Sequence, residues 1–367
     1  YQVIIIGGGL AGLMNACLLA KAGIQCLIIE NKSYPFHKVC GEFISNEVRL
    51  FLMAQGIYPT QLAPPQINRL MISASDGSYQ HLDLPLGGFG VSRFQLDHFW
   101  FKEASKLGVE FRLNTTVNSI NFQSGVHTIK TSNHDTFQAK VVIGAYGKRS
   151  ALDQKLQRPF MSKRSAYLGV KYHYTGDWEE DLIALHSFNH GYCGISRVED
   201  GKINLCYLSS RANLKQTGDI KQLEKQVLGR NPHLAQVFEN FTPLFDKPQV
   251  INEVSFQPKQ SIVDHIIMSG DTAGLITPLC GNGMAMAIHS AAILAPRVVR
   301  FLTEKQYSRT QLESEYSQLW KQQFSRRLLA GRYLQQLYFL QPQLLIAAAK
   351  IPVISRWLVR QTHGMEL

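Results

Sequence analysis

Several things are scarce in this chain, and each scarcity removes a class of protein. No apolar run approaches the ~20 residues that a membrane-spanning helix needs. The nearest stretch, residues 347–354, is short and is broken by Pro352. Six cysteines (Cys17, Cys26, Cys40, Cys193, Cys206 and Cys280) form no Cys-x-x-Cys pair and no zinc spacing, which indicates no metal site. Most stand in apolar strand or helix contexts, where free cysteine acts as a small hydrophobe, so a reducing, cytoplasmic setting is expected. Cys40 and Cys280 differ in lying in glycine-flanked loops. There is no nucleic-acid motif, internal repeat, low-complexity tract or signal-peptide pattern. The net charge of +11 is spread along the chain and not gathered into a tract, so it does not by itself name a partner.

What is present is ordinary in bulk and specific in places. At 367 residues, with 45% hydrophobic and 18% charged, the chain suits one large α/β unit with a second lobe. Val3-Ile4-Ile5-Ile6 is a short continuous apolar run, as in a strand buried on both faces of a parallel sheet. Residues 10–22 predict a helix closed by Gly23, and residues 26–30 the next strand. At the first junction Gly7, Gly9 and Gly12 form Gly-x-Gly-x-x-Gly. The first allows a tight turn, the second lets the backbone approach a pyrophosphate, and the third lets helix and strand pack closely. Glu30 ends the second strand, where it can bond an adenosine ribose hydroxyl and disfavours a 2′-phosphate.

Further along, 68–79 and 81–86 read as strands joined at Asp76-Gly77, and 93–107 as an amphipathic helix. Segments 109–113, 127–131 and 137–143 alternate like an antiparallel meander. Strands are expected at 167–174, 182–188, 191–198 and 202–208, helices over 214–239, and a buried strand over 262–269. Helices dominate from Gly283 onward. This order implies a discontinuous nucleotide domain (1–66, 94–160 and 262–320), an inserted sheet domain (67–93 and 161–261) and a helical cap (321–367).

The strand at 262–269 runs into Gly270-Asp271 and then Gly281-Asn282-Gly283-Met284. An Asp at the end of a buried strand can bond a ribityl hydroxyl. Glycines opening a helix free backbone amides whose positive end stabilises charge developing on a reduced flavin ring. Taken alone this is an ordinary helix start. Paired with the distant Gly-x-Gly-x-x-Gly it points to FAD, held along its whole length with the ring between two domains.

With those motifs in view, the chain resembles the flavoprotein monooxygenase superfamily typified by para-hydroxybenzoate hydroxylase, and within it the geranylgeranyl-reductase-related branch. The matching pieces are Gly7 to Gly12, Glu30, Lys38-Val39-Cys40-Gly41-Glu42, Arg93 to Asp97, Val142 to Gly147, and Gly270 to Met284. The resemblance implies an α/β fold: a Rossmann-type FAD domain with an inserted antiparallel-sheet substrate domain and a helical C-terminal cap. It implies that Arg93 contacts FAD phosphates and that the loop of Lys38, Cys40, Gly41 and Glu42 runs beside the flavin. Arg93 as a surface arginine and Glu42 as a helix cap near Ser45 are the plainer alternatives. The family usually has Asp-Gly after Ile-Gly-Ala, and here that Asp is Tyr146, followed by Lys148 and Arg149, which could take over a phosphate contact.

The resemblance further implies an FAD-dependent oxidoreductase with NAD(P)H as a transient reductant. The leading expectation is a single-component monooxygenase acting through a flavin hydroperoxide on an aromatic, polyketide-like or lipid-like small molecule. The alternatives are a reductase of carbon–carbon double bonds in an isoprenoid or acyl chain, and a flavin-binding protein without turnover. No Trp-x-Trp-x-Ile-Pro is present, which argues against a flavin halogenase. The prenyl-reductase strand Tyr-x-Trp-x-Phe-Pro keeps only Tyr192. No acid–base pair stands out, and Glu42, Tyr192 and Arg197 are the catalytic candidates, with Tyr172, His173 and His186 also able to face the flavin. His289 reads as helix packing. The cationic, apolar C-terminal segment reads as a closing helical layer or as a surface for a lipid-like or carrier-bound substrate at a membrane face.

Overall fold

A computed structural model describes residues 1–162, 164–362 and 367. The first strand, Val3–Ile6, sits at the middle of a six-stranded sheet, flanked in parallel by Cys26–Ile29 and Val141–Gly144. Its four residues are all buried, as their unbroken apolar run requires. Helices Leu10–Lys21 and Gly283–Thr303 pack on each other over this sheet. Helix Gly283–Thr303 is long and apolar enough to cross a bilayer, yet every residue from Met284 to Ala291 is inside the protein.

The second lobe is a nine-stranded, largely antiparallel sheet. Its core strands are Tyr167–Thr175, Leu182–Phe188, Gly191–Arg197 and Ile203–Ser210, and Tyr79–Gly90 carries it to the short strand Phe43–Ser45. The Asp200 turn lies between the last two core strands, as its sequence predicts.

One of the meander segments and part of another belong elsewhere. Glu110–Arg112 is a parallel edge strand beside Cys26–Ile29, and 137–143 divides into Thr136–Ala139 and Val141–Gly144, in different sheets. The actual meander is Val117–Gln123, Val126–Thr131 and Thr136–Ala139. Likewise 262–269 is two short strands, Ile262–Val263 and Ile266–Met268, turned at Asp264 and His265, both at positive φ. One helix, Arg309–Leu340, runs unbroken through position 320, so the cap and the flavin domain share it.

The helices behind the large sheet hold a buried carboxyl. Glu224, on helix Ile220–Gln226, accepts from Tyr207 Oη at 3.0 Å, and burial pushes its pKa up to about 7 from an ordinary 4.5. A raised carboxyl pKa means the folded state keeps its proton longer, so stability falls as pH rises from 4.5 toward 7. Glu224→Gln should therefore stabilise the protein by about 1–2 kcal/mol above pH 7 and by little near pH 4.5. Melting curves at both pH values check this, and an equal effect at both would refute it.

Candidate active site

The first half of the site is built where strand Val3–Ile6 turns into helix Leu10–Lys21. A Cβ on Gly12 would lie 2.0 Å from the Gly7 carbonyl oxygen, so only glycine lets helix and strand come this close. Glu30 is buried at the end of the next strand, and its carboxylate accepts the Gly8 N–H at 2.7 Å and the Lys32 N–H at 3.1 Å. The open face of Gly9 looks at two cations, since a Cβ there would stand 3.3 Å from Lys38 Nζ and 3.5 Å from the Arg93 guanidinium.

Both cations are held by Asp97, one turn along the helix Arg93–Lys106 that Ser92 caps. Its carboxylate takes Arg93 Nε at 2.7 Å and Nη2 at 2.8 Å, and Lys38 Nζ at 3.1 Å. Burial pushes the Asp97 carboxyl up, and the two cations outweigh it and hold it below the ordinary range. A glycine turn, a helix N-terminus and two fixed cations together make a cradle for a pyrophosphate.

The distant Gly270 segment completes this site by direct contact. Gly270 has φ +64°, and a Cβ on it would lie 2.7 Å from Ala11 Cβ on the first helix. Ser290 Oγ accepts the Gly270 N–H at 2.9 Å, and Asn15 Nδ2 donates to Ser269 Oγ at 3.0 Å. Asp271, Gly281, Gly283 and Met284 line the same cavity as Gly7, Gly9 and Glu30. No side-chain cap bond closes the start of helix Gly283–Thr303 among the described residues, and Asn282 Nδ2 donates to Glu47 Oε2 at 3.3 Å, so the first turn presents backbone N–H groups at the cavity. Lys259 steadies this loop by donating to the carbonyls of Asp271 at 2.8 Å and Lys148 at 2.7 Å, and burial brings its ammonium down to about 8.

The cavity has a volume of about 730 Å³ and continues from this cradle to the inner face of the large sheet. Glu42 stands where the two meet, fully buried and at φ 55°. Its carboxylate pairs with Lys171 Nζ, accepts from the backbone N–H of Arg93 at 2.7 Å, and lies 2.6 Å from His173 Nε2. Burial raises its pKa, and Lys171 and His173 more than offset that, so it stays below the carboxylate range. Glu42 thus joins the flavin loop to the sheet lobe. His37, stacked on Phe94 with ring centroids 4.6 Å apart, extends this cluster, and burial pushes it down to about 4.

The other candidates divide clearly. Cys40 and Gly41 line the cavity, and their carbonyls accept from Asn204 Nδ2 at 3.3 and 2.9 Å. Tyr192 lines it from strand Gly191–Arg197, buried, with a hydroxyl that finds no hydrogen-bond partner among the described residues. Arg197 is not among the lining residues, and its Nε donates to the Trp178 carbonyl at 2.5 Å. His186 bonds Ser73 at 2.8 Å away from the cavity, and Tyr172 packs on the opposite face of the sheet. His289 packs edge-on against Phe324. Tyr146 lies 3.6 Å from the Met268 sulfur, Lys148 donates to the Val39 carbonyl at 3.2 Å, and Arg149 pairs with Glu253 at 2.8 Å. Among the described residues no group of three or more His, Cys, Asp or Glu is placed to hold a metal ion.

Asp97, Lys171 and Lys259 are the positioning residues that sequence reasoning did not pick out. Only Asp97 left a signal there, four residues after Arg93 on a helix.

A family profile described as an FAD binding domain matches residues 1–318. The chain belongs to that FAD-binding family. The match spans both glycine-rich segments and the intervening sheet lobe, and the chain is accordingly an FAD-dependent oxidoreductase. Digeranylgeranylglycerophospholipid reductase 2 of Methanopyrus kandleri is 24% identical, over 89% of this chain and 83% of its own. Conditioned medium factor receptor 1 of Dictyostelium discoideum is 23% identical, over 96% of this chain and 73% of its own. Among solved structures, a flavin-dependent brominase superposes with a TM-score of 0.81 at 17% identity, covering 100% of this chain and 96% of that one. That likeness shows the fold. The residues present fit the cofactor: Lys38 and Arg93 converge on the Gly9 turn, Glu30 ends the second strand, and uncapped helix amides face the cavity at Gly283.

Proposed function

We propose that this flavoprotein reduces a carbon–carbon double bond in an isoprenoid or acyl chain. The observation that supports it is the substrate half of the cavity. The sheet face beyond the flavin loop offers Leu70, Leu84, Ile183, Leu185 and Ile251, a surface that excludes water and suits an apolar chain. Activating an electron-rich aromatic ring for oxygenation gains from a base that takes a phenolic proton, and among the described residues the sheet strands put no His, Asp or Glu on the cavity lining. The relatedness to an archaeal lipid reductase supports the same choice over the monooxygenase that the motifs put first.

Net reduction of C=C needs a hydride at one carbon and a proton at the other, and reduced FAD, once bound, supplies the hydride. This chain's part is to bind and exclude water. The Gly9 turn with Lys38 and Arg93 orients the cofactor, and the Gly283 amides stabilise negative charge at its reduced ring. Tyr192 keeps a proton on Oη at neutral pH, because burial pushes its pKa well above 10. NAD(P)H is the proposed transient reductant. The Glu30 carboxylate would repel a 2′-phosphate in the adenosine pocket proposed for FAD.

The deciding experiment is anaerobic. Protein reduced with dithionite, desalted and mixed with geranylgeranyl diphosphate or a polyprenyl phospholipid should recover its oxidised flavin absorbance and yield a product heavier by two hydrogens. Reoxidation only when O₂ is admitted, with one oxygen atom added to the product, would overturn the reductase in favour of the monooxygenase. No reoxidation by ligand or by O₂ would leave a flavin protein without turnover.

A further inference from the structure

The flavin cavity is closed on one side by the end of the chain, and that closure carries its own surface. Helix Arg309–Leu340 is followed by two short helices, Pro342–Ala349 and Pro352–Thr362, which turn on each other by 113°. They face both ways. Inward, Leu345 and Ile346 are buried, Leu358 joins the cluster around Tyr192, and Val359 lines the flavin cavity. Outward, Leu344 is 58% exposed, Ile351 51%, Val353 72% and Trp357 55%. Leu340, at 71%, carries this apolar exposure back onto the long helix.

Large apolar side chains left in water close together in sequence mark a candidate contact surface. Its charge says which contact. From Tyr316 to Met365 there is no Asp or Glu, while Lys321, Arg326, Arg327, Arg332, Lys350, Arg356 and Arg360 are all present. Lys321, Arg326, Lys350 and Arg356 are exposed. A protein partner would need a matching acidic and apolar face; an anionic bilayer supplies both, with headgroups for the cations and acyl chains for the apolar tips. Trp357 has the amphipathic ring that settles at the interface between them.

We infer that the helical hairpin 342–362 seats the protein on the surface of an anionic lipid bilayer, with the side of the cavity that Val359 lines turned toward the lipid. The docking stands on this surface alone. Its use as a route for an apolar-chain substrate rests on the proposed function. An amphiphile would then pass from the bilayer to the flavin along Leu358 and Val359 without crossing water.

The test uses FAD-loaded protein and vesicles, with no turnover, so it fails or succeeds apart from the reductase reading. Sedimentation with phosphatidylcholine vesicles containing one third phosphatidylglycerol should carry down most of the protein at low salt. Pure phosphatidylcholine should carry down at least tenfold less, and 0.5 M NaCl should release most of the bound protein. Val353→Asp/Trp357→Asp should weaken binding at least tenfold while the flavin spectrum stays that of the parent. Lys350→Glu/Arg356→Glu should weaken binding to anionic vesicles alone. Equal sedimentation of parent and Val353→Asp/Trp357→Asp, or none by the parent, overturns the docking. So does a concentration-dependent dimer in vesicle-free sedimentation velocity that the same substitutions abolish, because the face would then belong to a second copy.

Discussion

Glu42→Ala is expected to cost about 3–5 kcal/mol of folding stability, the usual penalty for stranding a buried charge by deleting its partner. Lys171 is fully buried and its ammonium pairs with Glu42, so deletion leaves it with no counter-charge in a dry setting. The backbone N–H of Arg93 loses its acceptor at the same stroke, which loosens the start of the helix that bears the Arg93 guanidinium. Flavin retention should therefore fall with stability. The double substitution Glu42→Ala/Lys171→Met removes both charges and should recover at least half the loss. The depressed Glu42 carboxyl gives stability that is present above its ordinary 4.5 and fades as pH falls below it. The alanine variant should lack that acid-side slope. Urea unfolding at pH 7 and at pH 4 reads all of this. A cost below 1 kcal/mol at pH 7, or no recovery in the double variant, would sink the idea that this cluster is a buried ion network.

Arg93→Met should raise the Kd for FAD by about 10- to 150-fold, since a charge-assisted hydrogen bond contributes ~1.5–3 kcal/mol. The guanidinium is fixed by two bonds to Asp97 and looks at the Gly9 turn, so its contribution is expected at the pyrophosphate. Riboflavin has no phosphate, and its affinity should change less than threefold. Arg93→Lys should recover part of the loss, as lysine keeps the charge without the planar fork. Titration of apoprotein by flavin fluorescence quenching separates the cases. A parallel loss for riboflavin and FAD would mean that Arg93 supports the fold and not the phosphates.

The parts of this molecule that could be read from sequence are those whose chemistry is local. Gly7, Gly9, Gly12 and Glu30 lie within one β-α-β unit, so spacing alone assigns them. The downstream Gly270 to Met284 segment was legible because a glycine–aspartate pair and a glycine-opened helix are each short motifs. What spacing could not give was that Gly270 lies against Ala11, a pairing 259 positions apart that makes two motifs into one cavity. Glu42 shows the opposite limit. Its partners Lys171 and His173 lie 129 and 131 positions away on one strand, and nothing around any of the three announces the others. The error over 109–113 has a related cause. Val109 to Leu113 alternates apolar and polar residues as a meander strand does, and only the partner Cys26–Ile29 tells them apart. The cap boundary at 320 fell within helix Arg309–Leu340 because composition changes along that helix while its hydrogen-bonded backbone does not.

The left-handed turn at Glu42 is where the flavin loop ends and the first strand of the sheet lobe begins, with Phe43 paired to Gly90. A bond there fastens the two lobes with charge and not with grease. Apolar surfaces can slide and re-form contacts cheaply, whereas parting this carboxylate from its ammonium would expose neither to water until the whole jaw had opened. Separating the lobes at this point therefore means leaving two buried charges unpaired.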